Sequence, residues 1–415
     1  MRIVLENIKE LVQVEDYSVR FKTGSAMSSL GVLKNAYLVI HDGLIEGIGS
    51  MRNLDHEKLD NDVLMELDCT ERLVFPSYCD SYTSLIFPGG LENELTNRIS
   101  RPFCDAAGCY SRIKRLAALI ENCSEEELYE LAEIRLNEMI SLGIGAIEIK
   151  CGYGFTSASE LKILRVIKKL KNNYPVIIKS KFLGAHTVSS MYLVDRQRFI
   201  DLVVHEIIPQ ISAEGLADYI DVFCDHGFFS VPETKQILTA VIKYGLRPKL
   251  YINENGETGG MDASVKYDVL SMDHMQHTNE EEIRPLKNTE TMPAMLPGVI
   301  FFMKIPSSPV RKMVSAGIPV TMSLGYDQDT LLPVRMNVVP SMECIHDGMS
   351  PEEVINATTL NSAYAMGIEG ICGSICRGKT ANVFITTELP GYASLPYNFG
   401  SNLIETVILD GKIMA

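Results

Sequence analysis

Short apolar runs alternate with amphipathic segments between about residue 74 and about residue 370. Apolar runs bounded by turn residues are typical of buried strands, and the segments between them carry helix start signals such as the capping box of Ser124 and Glu127. Strands and helices that alternate in this way predict an α/β fold, a (β/α)8 TIM-type barrel, with a doubly wound open sheet as the alternative. The eight candidate strands begin near Leu73, Ala146, Val176, Tyr219, Lys249, Val269, Thr291 and Pro319.

The two ends of the chain have a different pattern, in which β-prone segments follow one another without a helical period. The run at residues 36–40 precedes a His-Asp-Gly turn, and the run at residues 403–409 precedes Asp-Gly-Lys. We therefore predict that the two ends pair in a small, discontinuous β-sandwich of residues 1–73 and 371–415. Residues 74–370 form the predicted barrel.

Composition and charge narrow the range of functions. Hydrophobic residues make up 46% of the chain and charged residues 22%, as in ordinary globular proteins. The formal net charge of −15 disfavours contact with nucleic acid or an anionic membrane surface. No stretch approaches the roughly 18 apolar residues that a membrane span needs. The ten cysteines include no CxxC pair, which indicates reduced thiols and predicts a cytoplasmic protein.

Polar and titratable residues follow the predicted strands, at the end of a barrel where functional residues lie. Packing alone does not require such residues there. The sequence therefore predicts a site at this end of the barrel. The segments are residues 80–84 (DSYTS), 150–154 (KCGYG), 182–186 (FLGAH), 221–226 (DVFCDH), 252–256 (INENG), 272–274 (MDH), 296–298 (LPG) and 324–329 (LGYDQD).

Several of these segments resemble the imidazolonepropionase family, amidohydrolase-superfamily enzymes of histidine breakdown. The resemblance runs over nearly the whole chain and keeps the order of the segments. It implies a metal-dependent barrel flanked by a β-sandwich and, in most members, a homodimer. The stretches that carry it are residues 148–154, 160–167, 182–186, 216–224, 271–274, 361–367, 373–379 and 395–404.

The metal-binding positions of that family are replaced in this chain. Its members hold one Zn²⁺ or Fe ion with a His-x-His pair after the first strand, a His after the fifth and an Asp after the eighth, and the ion activates the attacking water. By the resemblance, these positions are Tyr82, Ser84, Asn253 and Gly325, with Tyr326 in place of Gly325 if the alignment shifts by one residue. Neutral oxygen donors hold Zn²⁺ weakly, so we predict no bound metal.

Other positions of the family's pocket are kept. Lys150, Tyr153 and His186 stand where the family has a strand-two lysine, a substrate-contacting Tyr and a substrate-contacting His. We assign these three residues to a pocket for a small-molecule ligand. His274 stands at the family's strand-six His, and we interpret it as a vestigial catalytic residue.

Two groups that serve the substrate in the family are also changed. The Arg that grips the substrate carboxylate aligns with Leu91, and the proton-handling residue aligns near Gly256, with Glu254 and Glu257 close by. A transition-metal site rebuilt from other residues stays a separate hypothesis. Its candidate ligands are Cys151, His186, His226 and His274.

Taken together, the residues favour an imidazolonepropionase-like protein that has lost metal-dependent hydrolysis and serves as a binding or partner subunit. The alternative is an active hydrolase of a cyclic amide C–N bond, such as that of 4-imidazolone-5-propanoate. It requires a displaced metal site or a metal-free mechanism. A third hypothesis is a structural partner that stabilises an active homologue as a heterodimer.

Overall fold

A computed structural model describes residues 2–55, 63–89, 106–154, 156–185, 192, 194–326 and 335–414. The strands in these ranges are β1 (Arg2–Val12), β2 (Val32–His41), β3 (Leu44–Ser50), β4 (Val63–Asp68), β5 (Arg72–Pro76), β6 (Tyr78–Thr83), β7 (Ile144–Cys151), β8 (Ile177–Ala185), β9 (Tyr219–Cys224), β10 (Arg247–Ile252), β11 (Ser271–His274), β12 (Met292–Met295), β13 (Thr321–Met322), β14 (Val383–Glu388), β15 (Ile404–Leu409) and β16 (Lys412–Ile413).

The helices are α1 (Ala106–Asn122), α2 (Glu125–Ser141), α3 (Ser157–Asn173), α4 (Arg196–Leu202), α5 (Ile208–Glu214), α6 (Val231–Lys243), α7 (Met261–Lys266), α8 (Glu280–Leu286), α9 (Pro297–Met303), α10 (Val310–Ser315), α11 (Val339–His346), α12 (Pro351–Thr358), α13 (Leu360–Ala365) and α14 (Ser394–Tyr397). The predicted capping box of Ser124 and Glu127 begins α2, and Ser230 begins α6 in the same way. No helix in the described ranges is long and apolar enough to cross a membrane.

The first and last parts of the chain share one sheet, in the order β16–β15–β14–β5–β1–β2–β3, with β4 beside β1. Strand β5 joins the two ends because it pairs in parallel with β1 and antiparallel with β14. One face of the sheet buries a core that includes Leu5, Leu38 and Val383. Phe75 and Phe384 pack instead into the main core, which contains the barrel side chains. The structure thus places residues 74–76 in the terminal sheet, and the barrel begins at β6.

The second sheet contains eight parallel strands among the described residues, β6 to β13 in chain order. A bridge between Thr83 and Tyr326, with a hydrogen bond from Ser84 N to Tyr326 O of 2.8 Å, joins the first strand to the segment after the last. This contact closes the sheet into a barrel. The predicted TIM-type α/β fold is confirmed, and the open doubly wound sheet is excluded. Every residue of β7 and β9 is buried, as the apolar runs indicate.

Candidate functional site at the centre of the barrel

Three ring side chains fill the centre of the barrel at the C-terminal ends of β6, β10 and β11. The Tyr82 hydroxyl lies 3.4 Å from His274 Nε2. The Tyr251 ring packs against the His274 imidazole, with their centroids 3.7 Å apart. Tyr82 and His274 are each 2% exposed and Tyr251 is 5% exposed. Packed side chains therefore occupy the space between these strand ends.

A carboxylate lies at the edge of this ring cluster. Glu254 Oε2 accepts a hydrogen bond of 2.7 Å from the Tyr251 hydroxyl, and Glu254 Oε1 lies 3.9 Å from His274 Nδ1. The Asp225 carboxylate accepts the backbone N–H groups of Glu254 and Asn255 at 2.7 and 3.1 Å, and it thereby fixes the loop that carries Glu254. A carboxylate, a phenol and an imidazole this close together can hold and transfer a proton.

The predicted pocket residues Lys150 and Tyr153 lie beside the same cluster. Lys150 Nζ is 3.7 Å from the centre of the Tyr82 ring and 5.8 Å from that of Tyr153, which is the geometry of a cation–π contact. Both residues are only 1% exposed. The structure therefore brings Lys150, Tyr153 and His274 together around Tyr82. His186 and Leu91 lie outside the described residues.

The structure places Tyr251, rather than Asn253, beside Tyr82 and His274. Strand β10 ends at Ile252, and Asn253 follows it in a left-handed conformation with a φ of 56°. The amide of Asn253 is used within the loops around it. It donates to Glu282 at 3.0 Å and to Thr278 at 3.3 Å, and it accepts from the Thr258 hydroxyl at 3.0 Å and the Thr258 N–H at 3.2 Å.

The predicted former ligand positions Ser84 and Gly325 lie at the seam where the barrel closes. Ser84 is buried and donates its N–H to Tyr326 O. Gly325 has a φ of 66°, a conformation that favours glycine. A Cβ atom at this residue would lie 2.6 Å from Val299 Cγ2, which is closer than real Cβ contacts. An aspartate at residue 325 therefore requires the Val299 side chain to move.

The carboxylate of Asp80 ties the same seam together. It accepts a hydrogen bond from Leu324 N at 3.0 Å and bonds to the hydroxyl of Thr83. Asp80 is fully buried, and burial raises the pKa of its carboxyl to about 7, against the effect of these hydrogen bonds.

Deeper in the barrel lies a charged layer that the sequence analysis did not predict. Lys181 Nζ lies 2.8 Å from Asp273, 3.0 Å from Glu148 and 3.1 Å from Asp221. Lys249 also contacts Glu148 and donates to the Ala365 carbonyl at 2.8 Å. We call Glu148, Lys181, Asp221, Lys249 and Asp273 the charged layer, and each of these residues is at most 1% exposed.

Burial and charge act against each other in the charged layer. Burial disfavours the ammonium form of Lys181, but its three carboxylate neighbours outweigh burial and hold the pKa of Lys181 well above its usual value. Burial raises the pKa of Asp221 to about 6, although Lys181 opposes that rise. Burial also lowers the pKa of Lys249, against the attraction of Glu148.

A cavity of about 580 Å³ opens beside the loop that carries Glu254. Its volume falls in the range that small-molecule sites commonly have. Arg196 faces it and pairs with Glu233, Nε to Oε1, at 2.8 Å. His226, Phe228 and Thr258 also line the cavity.

The described residues at the centre do not fit the single Zn²⁺ or Fe ion that the resemblance implies. The phenols of Tyr82 and Tyr251 and the hydroxyl of Ser84 are neutral oxygen donors near pH 7, which hold Zn²⁺ and Fe²⁺ weakly, and Gly325 has no side chain. Within the described ranges, no group of three or more His, Cys, Asp and Glu residues is arranged to hold a metal ion. Cys151, His226 and His274, the described members of the hypothetical rebuilt site, therefore form no such group.

Comparison with known proteins gives a consistent picture. Residues 256–414 match the model of the amidohydrolase family. The whole chain is 44% identical to the imidazolonepropionase of Flavobacterium johnsoniae, with 100% of both chains covered. It is 31% identical to that of Clostridium tetani, with 99% of this chain and 98% of the relative covered.

Among solved structures, a triazine hydrolase variant superposes with a TM-score of 0.74 at 14% identity, over 99% of this chain and 94% of that one. Escherichia coli guanine deaminase superposes with a TM-score of 0.73 at 13% identity, over 100% of this chain and 99% of that one. At these identities the two structures support the fold alone.

Proposed function

The chain belongs to the imidazolonepropionase family of the amidohydrolase superfamily, and on that premise we propose that it binds a small cyclic amide without hydrolysing it through a metal-bound hydroxide. The observation that carries the proposal is the donor set at the barrel centre. Tyr82 and Ser84 replace the His-x-His pair, and Gly325 replaces the aspartate. Neither strand-five candidate, Tyr251 or Asn253, offers an imidazole.

The polar groups at the mouth of the barrel support the binding part of the proposal. Glu254 is an acceptor for ring N–H groups, and its loop is fixed by Asp225. The cavity beside this loop has an aromatic wall at Phe228 and a cation at Arg196. An aromatic wall with a few polar groups is the usual composition of a small-molecule site.

An active hydrolase of the imidazolone C–N bond is the second candidate, and the names of the relatives favour it. Both relatives described above are imidazolonepropionases, and one is 44% identical over its full length. In this case the chain's own side chains must activate water. Glu254 is the best placed of the described residues to accept its proton, since it lies within reach of both Tyr251 and His274.

Metal analysis and a hydrolysis assay on one preparation separate the two candidates. For protein purified without chelators, we expect less than ~0.1 equivalent of transition metal per chain. We also expect no hydrolysis of 4-imidazolone-5-propanoate above background, and saturable binding of imidazole propionate in calorimetry. Stoichiometric metal, together with activity that a chelator removes, would overturn the proposal.

Metal-free turnover would favour the second candidate instead. That activity should disappear in Glu254→Gln. It should persist in the matched control Glu257→Gln, because Glu257 is exposed on the same loop. Turnover that survives both substitutions would exclude Glu254 as the base.

For the subunit arrangement we propose the homodimer that the resemblance implies. An apolar groove of about 720 Å³ runs beside α9 and α11, and Phe301, Ile345 and Phe399 on its border are 72%, 74% and 61% exposed. Exposed apolar patches of this kind mark association sites. The exposed apolar side chains lie beside the apolar groove. In a two-fold interface, each copy can therefore place these side chains in the groove of the other.

A further inference from the structure

We propose that Lys181 neutralises the clustered carboxylates beneath the centre of the barrel in place of a metal ion, and that it thereby disfavours a divalent metal ion at the centre. The inference rests on the proposed function and deepens it. It names a residue that, in addition to the loss of ligands, makes the centre unsuitable for a metal ion. It predicts that restoring the ligands alone is not sufficient to restore tight metal binding.

The first step is the coordination of the Lys181 ammonium. An ammonium has three N–H donors, and three carboxylates from three different strands lie within 3.1 Å of this one. Glu148 comes from β7, Asp221 from β9 and Asp273 from β11. Because Lys181 is fully buried, rearrangement of this cation is restricted by the barrel itself.

The second step is the balance of charge. The charged layer holds three carboxyl groups and two ammonium groups. Without Lys181, Lys249 would be left to neutralise the carboxylates of Glu148, Asp221 and Asp273. Clustered carboxylate oxygens are what hard cations bind, so the layer needs positive charge, and Lys181 provides it from the chain.

The third step is the distance to the former metal position. Lys181 Nζ lies 5.0 Å from the centre of the Tyr82 ring, which occupies the place of a metal-binding His. The Lys181 ammonium compensates the charge of its three carboxylate partners, so these carboxylates are not available to stabilise a second cation nearby. A divalent ion held at Tyr82 would therefore lack their support while Lys181 is present.

The experiment compares metal affinity in backgrounds that carry the missing ligands. The starting background is Tyr82→His, Ser84→His, Asn253→His and Gly325→Asp, with Val299→Ala to make room at Gly325. Lys181→Ser is then added to it. Lys179→Ser is the matched control, because Lys179 lies on the same strand but pairs with Asp218 near the barrel's other end. Competition with a chromophoric chelator gives the Zn²⁺ dissociation constants, and far-UV circular dichroism checks the fold.

We expect Lys181→Ser to tighten Zn²⁺ binding at least ~10-fold over the starting background, and Lys179→Ser to leave it unchanged within about twofold. Equal affinity with and without Lys181 would overturn the inference. If Lys181→Ser does not fold, Lys181→Gln removes the charge but keeps a donor to the carboxylates, and the same comparison applies. The metal content of the unmodified protein tests the proposed function separately, so the two failures are distinguishable.

Discussion

Lys181→Met in the otherwise unchanged chain tests how the charged layer stabilises the barrel. Methionine occupies similar space but leaves Glu148, Asp221 and Asp273 with Lys249 as the remaining cation of the layer. Removing one partner of a buried ion pair typically costs ~3–5 kcal/mol, because it leaves an uncompensated buried charge. All the groups involved are at most 1% exposed, so water does not screen this loss. We therefore expect the free energy of unfolding at pH 7 to fall by ~3–5 kcal/mol.

The matched control is Lys179→Met, two residues earlier on β8. Lys179 Nζ lies 3.1 Å from Asp218 in a pair whose side chains are 25% and 21% exposed. Solvent screens such a pair, and its loss should cost no more than ~1 kcal/mol. Urea titrations followed by circular dichroism measure both variants. If Lys181→Met lowers the free energy of unfolding as little as Lys179→Met does, the reasoning is refuted, because the buried ammonium would then not be needed for stability.

The pH dependence gives a second check on the same variant. The folded-state pKa of Lys181 is raised, so its contribution is fully present below the unfolded pKa of about 10.4 and is lost as the pH rises through the folded value. At pH 9 the deficit of Lys181→Met should therefore be present in full. It should shrink as the pH falls from 9 towards about 6, because loss of Lys181 raises the pKa of Asp221 above its value of about 6, and the variant takes up this proton at a higher pH than the unmodified protein.

Three further predictions follow from individual contacts. The pKa of Asp80 is raised to about 7, so its contribution to stability is fully present below its unfolded pKa of about 3.9 and is lost as the pH rises through about 7. Asp80→Asn should therefore flatten the fall in unfolding free energy between about pH 4 and 7 in urea titrations. Tyr251→Phe removes the hydrogen bond to Glu254 and should lower the unfolding free energy by ~0.5–1.5 kcal/mol. Light scattering should give twice the chain mass of 46.1 kDa, and Phe301→Asp should reduce it to one chain; a single-chain mass for the unmodified protein would contradict the homodimer.

Much of the fold is local in origin and could be predicted from the sequence. Seven of the eight predicted apolar runs correspond to barrel strands, β7 to β13, and Ser124 with Glu127 marked the start of α2. The run at residues 73–75 reads like a first barrel strand, yet it pairs with β1 and β14. The pairing with β14 joins residues more than 300 positions apart, and the local pattern carries no information about it.

The site was only partly predictable. Lys150, Tyr153 and His274 were expected near one another, but Tyr251 was not singled out. The sequence did contain a signal for Tyr251. Residues two apart on a strand share a face, and Lys249 and Tyr251 both face the interior. Lys181 was missed for a related reason. A lysine in an apolar run reads as the solvated end of a strand, and its three carboxylate partners come from strands that are distant in sequence.

The replacements at the barrel centre are coherent in physical terms. If the metal ligands had been lost by random sequence drift alone, the metal-binding side chains would be gone, but an empty space and the negative charge of the nearby carboxylates would remain. Here Tyr82 and Tyr251 fill the space with rings packed on His274, and Lys181 balances the charge beneath them. A centre that is both packed and neutralised contributes to the stability of the barrel, as the layered interiors of such barrels generally do. On the proposed function, the chemistry of this chain takes place at the mouth of the barrel, where Glu254 is partly exposed beside a cavity of about 580 Å³.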